Sequence, residues 1–299
     1  MSSELAYPGS VGPRVLIVGD SQIFGLGTNG RTLGKLAADK LGAAAVLDVS
    51  GVSKTVADTL ADADQIRAFR PSVAVLCCGG TESLVHAGPV VQRLIERWAP
   101  PTWHGVNGLD PRPYYSRRLG RRIRQRITSR LKVAVKRVVV HGTGGQRRIP
   151  VDELRRDLQA LLALLAETGC LSVFVSMWEA DDRLFPRTGR AMAETQTVLA
   201  QCIAEHSHAI LIDAWRALDY WGDFQEDHLH FNEVGHRRIA GLVVQAVLPA
   251  TQADGTRERD SGARTVLAGA GLTTPPGPHP PGPLPGSAAD RADRRADRV

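Results

Sequence analysis

The sequence predicts an α/β fold in which helices cover both faces of a parallel sheet. Two observations predict it: short apolar runs recur along the chain, and segments with helical spacing alternate with them. Strands that are buried on both faces of a parallel sheet are almost continuously apolar, as these runs are. Of the 299 residues, 43% are hydrophobic, which excludes disorder throughout and allows one sizeable core.

Five strands and five helices account for the alternation. The predicted strands are 14–18, 45–49, 73–78, 171–177 and 209–212. The predicted helices are 33–41, 56–69, 152–167, 191–206 and 232–248, the last with Asn232 as its N-cap. Ser21, Gly51 and the Gly79-Gly80 pair follow the first three strands. Because ligands of parallel sheets bind at the carboxyl ends of the strands, we expect these residues to cluster at one site.

The segment 100–150 interrupts this alternation and is predicted to be a basic helical insertion. Leu119, Ile123, Ile127, Leu131 and Val135 recur at a spacing of four, which predicts one apolar helix face. No Asp or Glu occurs between Asp110 and Asp152, whereas arginines are frequent there, so this segment should attract anionic partners. We expect the insertion to lie along the carboxyl edge of the sheet, partly over Ser21, with Leu119, Ile123 and Ile127 facing inward.

The chain divides into an N-terminal extension (1–12), one domain (13–249) that contains the insertion, and a Pro/Arg-rich tail (250–299). The tail lacks core periodicity and is predicted to be disordered. No apolar run approaches the roughly 20 residues of a membrane span, and residues 1–12 do not resemble a signal peptide. The four cysteines fit buried positions in a reducing compartment, so a cytoplasmic location is expected.

Two short segments carry the residues suited to acyl transfer. Ser21 follows a predicted buried strand in Gly19-Asp20-Ser21, where a strand should lead into a helix. A serine hydroxyl is a weak nucleophile until a base accepts its proton. His230 is the candidate base, and Asp227, three residues earlier, could accept the imidazole Nδ1 proton. His228 and His236 are neighbouring histidines for which no direct role is expected. No metal site or cofactor site is predicted.

These segments resemble the sequence blocks of SGNH hydrolases, also called GDSL esterases/lipases. Gly19-Asp20-Ser21, Gly51, the segment 79–82 and Asp227-x-x-His230 occur in the order of the four family blocks. The segment 230–236 resembles the family's His-Pro-Asn-x-x-Gly-His, with Phe231 in place of Pro. The resemblance covers residues 13–249 except the insertion. It implies a three-layer α/β/α sandwich of flavodoxin-like type with a parallel five-stranded sheet.

The resemblance also implies which residues act. It makes Ser21 the nucleophile, His230 the base and Asp227 its partner. It places the oxyanion hole at the backbone N–H groups of Ser21 and Gly51 and at a third position that is Asn in the family. Here Thr81 or, one residue later, Glu82 takes that position; a threonine hydroxyl can donate a hydrogen bond, whereas an ionised glutamate cannot, which favours Thr81.

The function predicted from these residues is hydrolysis of a small-molecule carboxylic ester or thioester through an acyl-Ser21 intermediate. The alternative is an acyltransferase on the same machinery, with an alcohol or amine as acceptor and an acyl carrier protein or CoA-type donor. The basic insertion would then receive the acidic carrier protein. Nucleic-acid binding by the insertion is a third interpretation, but no binding module is recognisable and no nucleic-acid partner is expected. A family member without catalytic activity is the fourth.

Overall fold

The helices and strands alternate along the chain as the sequence predicts. The computed structural model describes residues 3–6, 12–176 and 180–254. The strands are β1 (Ser3–Ala6), β2 (Arg14–Gly19), β3 (Ala45–Asp48), β4 (Val73–Cys77), β5 (Val85–His86), β6 (Gln146–Arg147), β7 (Leu171–Val175) and β8 (Ala209–Ile212). The helices are α1 (Ser21–Phe24), α2 (Leu33–Lys40), α3 (Val56–Leu60), α4 (Ala63–Phe69), α5 (Gly80–Ser83), α6 (Pro89–Trp98), α7 (Leu119–Thr143), α8 (Val151–Glu167), α9 (Thr188–Ala204) and α10 (Glu233–Asp254).

The central sheet contains the five predicted strands in parallel and one further strand. Its order is β1-β3-β2-β4-β7-β8, and β1 alone runs antiparallel, at the edge beside β3. The parallel five-stranded sheet is thereby confirmed. Strand β1 lies in the segment 1–12, which was predicted only as an extension. Four residues of mixed polarity give no strand periodicity, so pairing with β3 rather than local pattern defines this strand.

Two hydrophobic clusters lie on the two faces of the sheet. Leu16 and Val18 of β2 belong to one cluster, which also contains residues of α8 and α9. Val15 and Ile17 belong to the other, which contains residues of α2 and α10. Because successive side chains of a strand point to opposite faces, these two sets define helix, sheet and helix layers. The predicted α/β/α sandwich is therefore confirmed.

Several element boundaries differ from the prediction. The segment 56–69 forms two helices, α3 and α4, rather than one. Helix α10 extends past residue 248 to Asp254, so the first residues of the predicted tail are helical. The rest of the predicted tail, residues 255–299, lies outside the described residues.

The insertion (100–150) contains a short 3-10 helix (Pro101–Trp103), α7 and β6, which pairs with β5, whereas α6 lies directly before it. The prediction that Leu119, Ile123 and Ile127 face inward is wrong: they are 72%, 51% and 64% exposed. The buried side of α7 instead contains Ser129, Lys132, Val133, Lys136 and Val140. The spacing of four identified one helix face correctly, but polar contacts of the opposite face hold α7 on the domain.

Candidate active site

Ser21 is placed by a sharp turn at the carboxyl end of β2. Gly19 adopts φ 144°, and a Cβ at this position would lie 1.9 Å from the carbonyl oxygen of Cys77 in β4. The turn therefore requires glycine. Asp20 caps α1 by accepting a hydrogen bond from the Gln22 N–H (2.9 Å). Helix α1 begins at Ser21 itself, as predicted for a strand that leads into a helix.

The structure brings Ser21, His230 and Asp227 together as the sequence predicts. Ser21 Oγ lies 2.8 Å from His230 Nε2, although the two residues are 209 positions apart. His230 Nδ1 lies 2.6 Å from Asp227 Oδ2. An ionised carboxylate can only accept a hydrogen bond, so Nδ1 carries the imidazole proton. Nε2 is then free to accept the Ser21 proton, which is the tautomer that a general base needs.

The charges of this pair stabilise each other. Burial lowers the pKa of His230, but the Asp227 charge and hydrogen bond outweigh burial and raise it above its usual value of 6.5. Burial raises the pKa of Asp227, but the interactions with His230 and the backbone N–H groups lower it overall. Asp227 thus stays ionised at neutral pH and favours the imidazolium that forms when His230 accepts a proton.

The loop that carries Asp227 and His230 is held by its own backbone. Asp227 Oδ1 accepts hydrogen bonds from the N–H groups of Leu229 and His230, both at 3.1 Å. Asn232 Oδ1 accepts from the N–H groups of Val234 and Gly235, which confirms Asn232 as the cap of α10. These bonds fix the conformation of the loop that leads into α10, with the His230 ring directed at Ser21.

Neither neighbouring histidine joins this group, as predicted. The His228 ring stacks on Tyr220, with ring centroids 4.4 Å apart, and its Nδ1 lies 3.2 Å from the Tyr220 carbonyl oxygen. His236 is fully buried within α10, and its Nδ1 accepts a hydrogen bond from the Leu33 N–H (3.1 Å). Burial lowers the pKa of His236 to about 4, so this ring is neutral and links α10 to α2.

The expected oxyanion donors are only partly free. The first N–H of a helix has no partner within that helix, which leaves the Ser21 N–H available. The Gly51 N–H, in contrast, donates to the Gly19 carbonyl oxygen (3.0 Å), so the expectation of a free donor at Gly51 is wrong in this arrangement. The reason is that the hydrogen-bond ladder between β2 and β3 continues beyond the strands: the Val49 N–H donates to Ile17 in the same way.

Thr81 lies at the expected block but faces Asp20. The Thr81 N–H donates to Asp20 Oδ2 (2.9 Å), and its side chain also forms a hydrogen bond with Asp20. The Thr81 hydroxyl must therefore leave Asp20, or share its proton, to serve an oxyanion. Asp20 joins α1 to α5 through these bonds, a role that was not predicted from the sequence.

Glu82, the alternative in this block, is a buried carboxylic acid. It is 1% exposed, its Oε1 accepts from the Val56 N–H (2.7 Å), and its Oε2 has no hydrogen-bond partner among the described residues. Burial and the nearby Asp20 charge raise the pKa of Glu82 to about 7. Glu82 thus connects α5 to α3 beneath the site.

The insertion contacts two loops beside the candidate site, so it lies at this edge as predicted, while its covering part of Ser21 stays a prediction. The Tyr114 ring lies beside Gly27, where a Cβ would meet it at 3.0 Å, and the Pro113 carbonyl accepts from the Glu226 N–H (3.0 Å). Arg122 and Arg126 of α7 form ion pairs with the Glu226 carboxylate at 3.3 and 3.1 Å. Glu226 precedes Asp227, so α7 is tied to the loop that carries Asp227 and His230. No motif marks Glu226, so its contact with α7 was not predicted from the sequence.

Among the described residues, no His, Cys, Asp and Glu side chains are grouped so as to hold a metal ion. No helical segment of that part of the chain combines the length and the hydropathy of a membrane span.

Solved structures provide the comparisons with known proteins. No protein-family model and no curated protein matches the sequence. TesA is 16% identical over 79% of this chain and 98% of TesA, with a TM-score of 0.49. A lipolytic protein assigned to the G-D-S-L family, from Desulfitobacterium hafniense DCB-2, is 10% identical over 79% of this chain and 99% of its own (TM-score 0.49). Axe2, an acetylxylan esterase from Geobacillus stearothermophilus, is 13% identical over 78% and 93% (TM-score 0.47). The family that the sequence blocks resemble is represented among these similar structures.

Proposed function

We propose that this protein is an SGNH-type serine hydrolase that cleaves a small carboxylic ester or thioester through an acyl-Ser21 intermediate. The observation that supports it is the continuous chain of contacts Ser21 Oγ–His230 Nε2 (2.8 Å) and His230 Nδ1–Asp227 Oδ2 (2.6 Å). In the proposed reaction, Ser21 Oγ attacks the acyl carbon while His230 accepts its proton. The imidazolium then gives that proton to the leaving alkoxide or thiolate.

Deacylation reuses the same groups. His230 removes a proton from water, the hydroxide adds to the acyl carbon, and Ser21 leaves with the proton returned by His230. The oxyanion of each step would be held by the Ser21 N–H, with Thr81 as a second donor once its hydroxyl turns from Asp20. An oxyanion hole that lacks one donor costs about 10²–10³ in rate, so we expect slow turnover on simple esters.

The experiment is pre-steady-state hydrolysis of p-nitrophenyl acetate. If acyl-Ser21 forms, the wild-type protein releases a rapid burst of p-nitrophenol equal to the concentration of active sites whenever deacylation is slower than acylation. Ser21→Ala should show neither burst nor turnover, while Ser83→Ala, which removes another buried serine hydroxyl, should keep turnover. Equal hydrolysis by wild type and Ser21→Ala would contradict the proposal.

Acyl transfer is the second candidate, and the engaged Gly51 N–H and Thr81 hydroxyl favour considering it. It shares the acyl-Ser21 step and differs in the acceptor, an alcohol or amine instead of water. Adding increasing concentrations of an alcohol to the p-nitrophenyl acetate reaction separates the two. A transferase forms the acetate ester of the alcohol in preference to free acetate, whereas a hydrolase releases free acetate throughout.

A further inference from the structure

Helix α7 carries an apolar stripe that faces away from the domain. Its members are all more than half exposed: Leu119 (72%), Ile123 (51%), Ile127 (64%), Leu131 (53%) and Val138 (75%). At 100° per residue, Ile127, Leu131 and Val138 lie within about 40° of one another around the helix, and the stripe from Ile123 to Val138 is about 22 Å long. Exposed apolar residues scattered singly need no explanation, but a continuous stripe of this length does.

Specific polar contacts on the opposite side fix this orientation. Lys136 Nζ forms a buried ion pair with Asp110 (2.5 Å), and Lys132 Nζ donates to the Thr102 carbonyl oxygen (2.5 Å). Ser129 Oγ accepts from the Arg112 N–H (3.0 Å). Turning the stripe inward would expose these bonds and leave the charge of Asp110 without its partner, so the helix is held with its apolar face outward.

Arginines flank the stripe on both sides. By helical periodicity, Arg130 and Arg137 lie along one border of the stripe and Arg121 and Arg124 along the other. All four are exposed, and none forms an ion pair with a carboxylate in the described part of the chain. Only Arg122 and Arg126, nearer the domain, pair with Glu226. An apolar stripe between rows of free cations matches a surface with an apolar interior and anionic groups above it.

We propose that the outward face of α7 binds the surface of an anionic lipid membrane, lying parallel to it. The isoleucine, leucine and valine side chains would enter the boundary of the acyl chains, and the flanking arginines would meet lipid phosphates. A second copy of this chain fits the stripe less well, because its own arginine rows would face those of the first copy. Since α7 is joined to the Asp227 loop through Glu226, such binding would place the candidate site beside the lipid surface.

The test is flotation of the full-length protein with lipid vesicles. We expect binding to vesicles of phosphatidylglycerol, much weaker binding to vesicles of phosphatidylcholine, and loss of binding at high salt. Because each arginine near an anionic surface contributes about a fivefold factor, Arg124→Gln/Arg130→Gln should weaken binding about 25-fold. The control Arg156→Gln/Arg237→Gln, with the same change in net charge on α8 and α10, should change it less than threefold.

The apolar contribution is measured in the same way. Ile127→Gln should weaken vesicle binding about tenfold, the effect of burying one such side chain, while Val234→Gln, an exposed apolar residue of α10, should not. Circular dichroism should show all variants folded.

Three results would overturn the proposal. The first is no binding to phosphatidylglycerol vesicles by the wild type, even if an acidic carrier protein binds α7. The second is equal weakening by the paired controls. The third is a dimer, seen in sedimentation velocity, that Ile127→Gln converts to monomer, since a second copy would then cover the stripe.

Discussion

Substitution of Asp227 by asparagine tests the proposed role of the buried carboxylate. In the wild type, Oδ1 accepts two backbone N–H groups and Oδ2 accepts the proton of His230 Nδ1. The asparagine oxygen can keep both backbone bonds, which turns its NH₂ group toward Nδ1. Nδ1 must then accept, so the proton moves to Nε2, which can no longer take the Ser21 proton. The loop is preserved while the tautomer of the base is wrong.

The expected loss in kcat is about 10⁴-fold, which corresponds to about 5 kcal/mol of transition-state stabilisation. KM should change little, because Asp227 is 1% exposed and offers almost no surface to a substrate. The wild-type rate should fall as pH decreases through the pKa of His230, which lies above 6.5 because of Asp227. In Asp227→Asn, His230 loses the Asp227 charge that raises its pKa, so any residual activity should persist to lower pH than in the wild type. Steady-state hydrolysis of p-nitrophenyl acetate from pH 5 to 9 measures both effects.

Asp223→Asn is the matched control, because Asp223 is an equally buried carboxylate of the same loop that pairs with Arg238 (2.5 Å) rather than with His230. It should lower the thermal midpoint of unfolding but leave kcat within about tenfold of the wild type. If Asp227→Asn also stays within tenfold of the wild type, the proposed base and its tautomer are wrong.

Two further predictions concern the segment that follows β4. If the Thr81 hydroxyl reaches the oxyanion, Thr81→Val should lower kcat at least tenfold with little change in KM, and Thr81→Asn should keep or raise the rate. An unchanged rate in Thr81→Val excludes Thr81 as a donor. For Glu82, the folded-state pKa of about 7 exceeds the usual 4.5, so the folded state holds its proton longer and loses stability as pH rises between these values. Glu82→Gln removes this loss. Between pH 5 and pH 8, the free energy of unfolding of the variant should therefore rise by about 2–3 kcal/mol relative to that of the wild type, measured by urea titration. If the difference between the two proteins is the same at both pH values, the raised pKa of Glu82 is contradicted.

The sequence predicted the elements that have a strong local pattern. The interior strands β2, β4 and β7 are apolar on both faces, so their position and parallel pairing follow from composition. Strand β1 was not predicted, because an edge strand is defined by its partner rather than by its own residues. The division of 56–69 into α3 and α4 was also missed, since the break at Ala61-Asp62 lies in helix-compatible residues.

At the site, motifs predicted the residues but not their hydrogen-bond partners. Ser21, Asp227 and His230 meet because the ends of parallel strands share one edge, which topology alone dictates. The Gly51 N–H was assigned by resemblance, whereas the sheet ladder occupies it. The orientation of α7 could not be predicted from periodicity, which shows only that an apolar face exists. The side that faces the domain is determined by Lys132 and Lys136, which contact Thr102 and Asp110 in the preceding segment.

The most direct measurement of the central claim is covalent labelling with a fluorophosphonate, followed by peptide mapping. Such a reagent modifies a serine only when a neighbouring base activates it. We predict one modified residue, Ser21, with labelling that falls sharply in His230→Ala and increases with pH through the pKa of His230. A label on another serine, or equal labelling of Ser21 in the wild type and His230→Ala, would contradict the account.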